Sequence, residues 1–233
     1  MKSSILLLLL VLSCFHVAFG QNYYLGDAGI DVGAGFKSNS WSPSVFYHEE
    51  MGLPKLPWLK MGLGFRAWGY YGGKTDLYSQ GEKTPGHVLQ FRNVSANGLS
   101  FVASIKIKVW KLEAGANTDL TGIAFGSNRT AFYPGNTISP GAGEAYYNQF
   151  LPSQPVIFNL IPLALDNYNG QSEAFIRIWA TKKLGLKLGY VFGQLAYVTR
   201  RKDGGKVLLD NRQRRFSDHY QMPYVALCFP LLR

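Results

Sequence analysis

The stretch LGLKLGYVFGQLAYVT, residues 184–199, decides the fold class of this chain. Apolar residues occupy every second position from Leu184 to Tyr190, and glycine or lysine stands between them. Successive side chains of a β-strand point to opposite faces, so an alternation of period two predicts a strand with one apolar face. Residues 173–180 alternate in the same way just upstream, and the Lys182–Lys183 step predicts a tight turn between the two strands.

The same alternation recurs along most of the chain. It is carried by residues 27–36, 43–53, 59–68, 101–110, 112–120 and 216–230. Together with the two strands above, these stretches predict eight antiparallel strands.

The lengths of the connections predict how these strands are arranged. Connections at 73–97, 127–170 and 200–215 are long and rich in Gly, Pro, Asn and charge. The others are short and lie near 39–41, 53–57, 110–112 and 182–183. Short turns at one end and long loops at the other are typical of outer-membrane barrels. We therefore predict an all-β fold, an up-and-down antiparallel transmembrane β-barrel of eight strands.

Two apolar segments leave a ten-stranded alternative open. These are residues 155–166 (PVIFNLIPLALD) and residues 87–93. If both were strands, the long connection after residue 126 would fall at the end with the short turns. We therefore favour eight strands, with residues 155–166 folding as a loop over the barrel mouth.

The first twenty residues have the features of a secretory signal peptide. Lys2 is followed by an apolar run from Ile5 to Leu12, and Ala18-Phe19-Gly20 forms a small-x-small cleavage site. We predict a signal peptide over 1–20 and one outer-membrane barrel domain over 21–233. A lipoprotein with Cys14 as the lipidated residue is the alternative. After cleavage Cys228 is the only cysteine left, so we predict no intramolecular disulfide.

The net charge of +10 raises the question of a nucleic-acid partner. The basic residues are scattered, apart from residues 200–202 and 212–215, and export argues against that partner. We interpret them as loop charges that face acidic lipid or polysaccharide. The longest apolar run of the exported part, residues 156–165, contains Asn159 and Pro162 and is far shorter than the ~20 residues of a transmembrane helix.

The face opposite the apolar one combines glycine with charged and bulky residues, which suits the narrow interior of an eight-stranded barrel. Strand parity places a luminal charge network on this face, formed by Asp31, Lys60, Arg66, Lys106, Lys108, Glu113, Asp119, Glu173, Arg177 and Lys187. Because buried charges must be paired or solvated, we predict a salt-bridged plug. A soluble β-sandwich, with the apolar face inward, is the alternative.

Parity also places Trp58, Trp110 and Trp179 inward. Tryptophan near a strand end, however, is typical of the aromatic girdle of a membrane barrel. The sequence leaves the two placements open.

The glycine-spaced strands GIDVGAGF (29–36), LKMGLGFRAWGYYGG (59–73) and LKLGYVFG (186–193), with the aromatic C-terminal strand YVALCFPLL (224–232), resemble the small bacterial outer-membrane β-barrel families of the eight-stranded type. The resemblance covers nearly the whole exported chain. It implies an outer-membrane location and a barrel fold, and it implies no particular activity.

Few residues suggest chemistry. Some barrels that resemble this one are lipid A-modifying hydrolases, and Ser217 and His219 share a strand face as weak catalytic candidates. His48 and Glu50 also share a face, but two ligands are too few for a metal site. We predict no metal and no cofactor.

The functional prediction is a non-enzymatic outer-membrane barrel with a closed lumen. Its role is structural, or lies in surface interaction through the long external loops. The alternative is a lipid A-modifying hydrolase of the outer membrane. The predicted partners are outer-membrane lipid and lipopolysaccharide, and a surface ligand of the loops, but no nucleic acid. The oligomeric state is left open.

Overall fold

The computed structural model describes residues 26–53, 55–79, 87–135, 137–138, 140–162, 164–200, 205–210 and 214–232. The predicted signal peptide and Cys14 lie outside these ranges. No helix among the described residues has the length and apolar character to cross a membrane.

In the described part of the chain, thirteen strands form a single sheet, and every pairing between them is antiparallel. Their bounds are Gly26–Lys37 (β1), Ser40–Leu53 (β2), Leu56–Gly72 (β3), Thr75–Ser79 (β4), Val88–Phe91 (β5), Val94–Val109 (β6), Leu112–Phe125 (β7), Arg129–Tyr133 (β8), Gln149–Pro155 (β9), Phe158–Leu160 (β10), Gly170–Trp179 (β11), Gly185–Thr199 (β12) and Arg215–Leu232 (β13). The all-β, antiparallel prediction is confirmed.

Eight of the strands are long, with 10 to 18 residues, and they pair in a closed circuit. The order around the circuit is β1–β2–β3–β6–β7–β11–β12–β13, and β13 pairs back onto β1 with Val32 opposite Leu227. Closure leaves these strands no free edge, so their backbone N–H and C=O groups are satisfied within the sheet.

The predicted total of eight strands is too low, because the connections predicted as loops contain five short strands. β4 and β5 lie within 73–97, and β8, β9 and β10 lie within 127–170. Residues 155–166 do not form a loop over the mouth, since Asn159 in β10 pairs with Gly122 of β7 and extends the wall. Backbone groups in long connections that pack on a protein must find hydrogen-bond partners, and short strands supply them.

Four of the short strands close a second circuit above the first. β12 pairs with β9, and the pairing continues through β8, β5 and β4 to β13, which pairs with β12. Apolar side chains with at most 1% exposure fill this cap, among them Leu77, Leu89, Phe91, Tyr133 and Leu209. The long connections therefore build a small folded cap with its own core.

Aromatic rings pack against glycines inside the long-strand circuit. The ring of Tyr220 lies within 2.1 Å of where a Cβ of Gly193 would stand, and the ring of Trp68 within 2.6 Å of that position at Gly98. Any side chain at these two positions would collide with a ring. The alternation of glycine with bulky residues thus fills the narrow interior.

The circuit has two different ends. The short connections that follow β2, β6 and β11 lie at one, which we call the turn end, and the cap lies at the other, the cap end. Trp58 and Trp110, whose placement the sequence left open, are 44% and 82% exposed near the turn end. Trp110 follows the last residue of β6, and its φ of 54° takes it out of strand geometry. Trp179 is buried, with 7% exposure.

Asp210 fastens two connections of the cap to each other. Its carboxylate accepts hydrogen bonds from the Tyr133 hydroxyl at 2.6 Å and from the amides of Gly141 and Gly143, both at 3.1 Å. Burial opposes the charge, but the hydrogen bonds from Tyr133, Tyr147 and these amides outweigh it and hold the pKa of Asp210 below its ordinary value.

This contact predicts that the cap loosens in acid. A carboxyl group with a lowered pKa stabilises the fold above its unfolded pKa of about 4, and that contribution disappears as the pH falls through the folded value. Limited proteolysis of the folded protein should therefore cleave residues 134–148 faster below about pH 4. Asp210→Asn should cleave several times faster already at neutral pH, whereas the exposed Glu144→Gln should match the wild type. Equal rates for both variants would contradict the role of Asp210.

Candidate functional site

The long-strand circuit has an inverted polarity, with charges inside and large apolar side chains outside. On the β11–β12 pair, Arg177 and Lys187 are 1% and 0% exposed, whereas their neighbours Ile176 and Leu188 are 56% and 52% exposed. A water-soluble domain buries Ile and Leu and exposes Arg and Lys. The interior of the circuit is therefore the candidate site, because its charges require a structural or functional reason.

The apolar outer surface continues around the whole circuit. Exposed large apolar side chains stand on every long strand, including Val32, Val45, Phe65, Leu99, Ile123, Ile176, Leu186 and Val225. They form a belt on the outside of the sheet, which we call the apolar band.

The structure places the ten residues of the predicted luminal network inside the circuit. Nine of them are buried, with 8% exposure or less: Asp31, Lys60, Arg66, Lys106, Glu113, Asp119, Glu173, Arg177 and Lys187. The side chain of Lys108 is 24% exposed and lies near the turn end, 3.4 Å from Asp27. Every one of the ten makes an ion pair with an acid or base across the interior.

Arg177 joins two carboxylates from opposite sides of the interior. One guanidinium nitrogen lies 2.6 Å from Asp31 Oδ2 and the other 2.9 Å from Glu113 Oε2. Glu113 also accepts a hydrogen bond of 2.8 Å from the indole of Trp179. Lys187 approaches Asp31 to 3.0 Å and continues to Glu173 at 2.9 Å.

Lys106 bridges Glu50 and Glu113, the latter at 3.0 Å. His48 stands between Glu50 and Asp31, with its two ring nitrogens 3.5 and 3.6 Å from their carboxylates. The ten residues predicted for this network did not include His48 or Glu50. Strand parity could have identified them, since His48 and Glu50 alternate with the outward Tyr47 and Glu49 on β2.

Nearer the cap, Arg66 is the central cation. It lies 3.0 Å from Asp119 and donates to the side-chain oxygen of Asn117. The side-chain nitrogen of Asn117 donates in turn to Glu173 Oε2 at 3.0 Å. Asp119 accepts two further hydrogen bonds of 2.9 Å, from the Ser100 hydroxyl and the Gln171 amide. Each of these buried charges thus has several partners.

The acids and bases of the interior are balanced. The acids are Asp27, Asp31, Glu50, Glu113, Asp119 and Glu173, and the bases are Lys60, Arg66, Lys106, Lys108, Arg177 and Lys187. Because an unpaired buried ion is strongly destabilising, such balance stabilises a closed interior. An ion pathway would instead be lined by charges of one sign.

An aromatic layer covers the network on the side of the cap. Trp68, Tyr70, Tyr220, Met222 and Tyr224 are all buried, and the rings of Tyr70 and Tyr220 are 4.3 Å apart. Their polar atoms are satisfied, for example by the 2.8 Å hydrogen bond between the hydroxyls of Tyr224 and Ser44. The interior is thus filled by a polar layer and then an apolar one.

The catalytic candidates have separate partners. Ser217 is fully buried and its hydroxyl donates to Asn167 Oδ1 at 3.3 Å. The ring of His219 is 46% exposed and lies 3.9 Å from Asp166. A nucleophilic serine needs a hydrogen bond to its base, and here its hydroxyl is turned to an amide oxygen.

His48 and Glu50 lie inside the circuit, whereas Glu49 lies outside and accepts a hydrogen bond from Tyr47. Among the described residues, no three His, Cys, Asp or Glu side chains are grouped to hold a metal ion.

The network predicts a large penalty for reversing one charge. Lys106→Glu places a third carboxylate between Glu50 and Glu113, which should lower the free energy of unfolding by about 3–5 kcal/mol. Lys106→Glu/Glu113→Lys should regain part of this loss, because one ion pair forms again. Urea unfolding in detergent micelles measures both, with Lys111→Glu on the exposed turn as the control, expected within about 0.5 kcal/mol of the wild type. A similar loss for Lys111→Glu would contradict the pairing.

No protein-family model and no curated protein matches this chain. Among solved structures it is similar to a de novo designed transmembrane β-barrel, with 11% identity, a TM-score of 0.32, and coverage of 91% of this chain and 98% of that one. It is also similar to Neisserial surface protein A, with 8% identity, a TM-score of 0.35, and coverage of 88% and 93%. A third is a major outer membrane protein from Thermus thermophilus, with 11% identity, a TM-score of 0.42, and coverage of 88% and 99%.

Proposed function

We propose that this chain spans an outer membrane as a β-barrel of its eight long strands, with a closed lumen. The observation that carries the proposal is the inverted polarity of the closed circuit. Lipid offers no hydrogen bonds to backbone groups, so a spanning sheet must be closed, apolar outside, and satisfied within. The circuit meets all three requirements.

The soluble alternative conflicts with the apolar band. Phe65, Ile176 and Leu188 are each more than half exposed, and similar side chains surround the circuit. Soluble monomers rarely expose contiguous apolar patches larger than a few hundred Å². A β-sandwich would also place its charged face in water, whereas Arg177 and Lys187 are buried here.

Strand length and the aromatic residues at the ends also support a membrane span. A tilted transmembrane strand needs about 9–11 residues, and the shortest of the long strands, β11, has 10 residues. Trp58 and Trp110 are exposed near the turn end and Phe36 and Trp41 near the cap end. Such rings are favoured at membrane–water interfaces.

The membrane span predicts two behaviours of the full chain. The protein should remain with the membrane fraction and be released only by detergent. Unheated samples should migrate anomalously in detergent gels and shift on boiling, because the closed sheet unfolds only on heating. Recovery in the soluble periplasmic fraction would overturn the proposal.

The closed lumen predicts no stable conductance. Long side chains fill the interior, and aqueous channels appear at about 16 strands. Reconstitution in planar bilayers should give at most brief, small events. Steady, large, ion-selective steps would show that the balanced network of Asp31, Arg177 and Glu113 opens in the membrane.

The role we propose is non-enzymatic: the barrel stabilises the envelope or engages a surface partner through its cap. The cap supports this role because the long connections of outer-membrane barrels lie on the outer side, and in this chain they form a folded surface. The predicted partners remain outer-membrane lipid, lipopolysaccharide and a surface ligand of the cap.

Lipid A hydrolysis through Ser217 and His219 is the rival function, and the separate partners of the two side chains do not favour it. We expect the lipid A mass profile of cells to be the same with and without the gene. A shift that Ser217→Ala abolishes, and that the neighbouring Asp218→Asn leaves intact, would establish the rival.

A further inference from the structure

Two adjoining hollows lie on the outward-facing surface of the sheet, near the cap end. The first is bounded by the β1–β2 turn and by residues 71–73 and 93–95, and the second by the outer face of β5, β8 and β9. Asn93 and Arg129 line both, so the two hollows form one groove. We call it the rim groove.

The rim groove is basic. Its lining includes Lys37, Lys74, Arg92 and Arg129, and no Asp or Glu is among the described residues that line it. Lys37, Lys74 and Arg92 are exposed, and none of the four makes an ion pair within the described part of the chain. This contrasts with the lumen, where every cation has a carboxylate partner.

Arg129 holds a fixed position between the two hollows. One terminal nitrogen donates to Ser95 Oγ at 2.8 Å, which orients the guanidinium. Its Nε is buried and has no hydrogen-bond partner among the described residues. The terminal nitrogens of a guanidinium that is held in place are suited to donate to a phosphate or carboxylate in the groove.

The groove lies where the apolar band ends. Trp41 pairs with Phe36 on one side and stacks on Tyr71 on the other, with 5.0 Å between the ring centroids. On the same two strands, toward the turn end, Val32 and Val45 are 46% and 45% exposed. Apolar strand faces, an aromatic rim and a basic groove therefore follow each other along one side of the molecule.

We propose that the rim groove binds the phosphate groups of a phosphorylated glycolipid of the lipid A type. The inference rests on the proposed membrane span, which sets the apolar band at the depth of the acyl chains. The acyl chains then lie along the outer face of β1–β3. The phosphates reach Lys37, Lys74, Arg92 and Arg129, and the sugar rings pack on Trp41 and Tyr71.

The order of apolar, aromatic and basic surfaces along this side of the molecule favours this ligand over a free anion or a soluble anionic polymer. A polymer would need cations alone, and the turn end offers these as well, at the exposed Lys55, Lys111, Lys182 and Lys183. At the cap end, three exposed cations without an ion pair among the described residues adjoin a hollow lined by Trp41 and Tyr71, next to the apolar band. An amphiphile with an anionic head matches that sequence of surfaces.

The test uses the full chain, folded in zwitterionic detergent micelles and titrated with bis-phosphorylated lipid A while tryptophan fluorescence is recorded. Lys37→Gln/Lys74→Gln/Arg92→Gln removes three exposed cations of the groove. Each cation near an anionic lipid head contributes about a fivefold factor to affinity, so this variant should bind about 100-fold more weakly. The matched control Lys111→Gln/Lys182→Gln/Lys183→Gln removes three lysines at the turn end and should stay within about threefold, because it leaves the groove intact.

Dephosphorylated lipid A and inorganic phosphate separate the parts of the ligand. We expect dephosphorylated lipid A to bind the wild type as weakly as lipid A binds the groove variant. Inorganic phosphate at millimolar concentration should not compete with lipid A for the wild type. Equal loss in both triple variants, or equal binding of the dephosphorylated lipid, would overturn the inference.

The gel shift on heating distinguishes a failure of the rim-groove proposal from a failure of the proposed membrane span. A folded, heat-modifiable protein whose lipid A affinity does not depend on Lys37, Lys74 and Arg92 would refute the groove and leave the barrel standing. A chain without the heat shift would refute both.

Discussion

The pairing of β1 with β13 is the constraint on which the rest of the structure depends. The hydrogen-bonded register that places Val32 opposite Leu227 closes the circuit and so creates an inside and an outside. In the closed circuit, the alternation along each strand places one set of side chains in the interior and the other set on the outer surface. The charged set is the enclosed one, so closure and charge pairing stabilise each other.

Enclosure explains why the network is so highly connected. Removing a charged group from water costs solvation free energy, and a single ion pair rarely compensates for that cost. Arg177 therefore meets both Asp31 and Glu113, and Lys106 meets both Glu50 and Glu113. The same physics separates the lumen from the rim groove, whose Lys37, Lys74 and Arg92 are exposed to water and therefore need no buried carboxylate partner.

The cap adds a second closed circuit on the β12–β13 hairpin, which both circuits share. The cap strands join the long strands at their cap ends, where Tyr197 of β12 pairs with Phe216 of β13 and with Pro155 of β9. Toward the cap, the interior thus changes from charged to aromatic, and then to a core of mixed aromatic and aliphatic side chains. A surface function of the cap and a closed lumen are therefore compatible properties of one continuous sheet.

The sequence by itself determined the eight long strands and the inward placement of ten charged side chains, since period-two alternation is a local property of the chain. The short cap strands depended on partners distant in sequence, as when Gln90 of β5 pairs with Phe132 of β8, so local patterns showed them as loops. A bulge opposite Phe101 and Val102 also shifts β7 after Asp119, which parity could not foresee. The positions of Trp58 and Trp110, the partners of each luminal charge and the rim groove were decided only by tertiary structure, because each depends on which strands closure brings together.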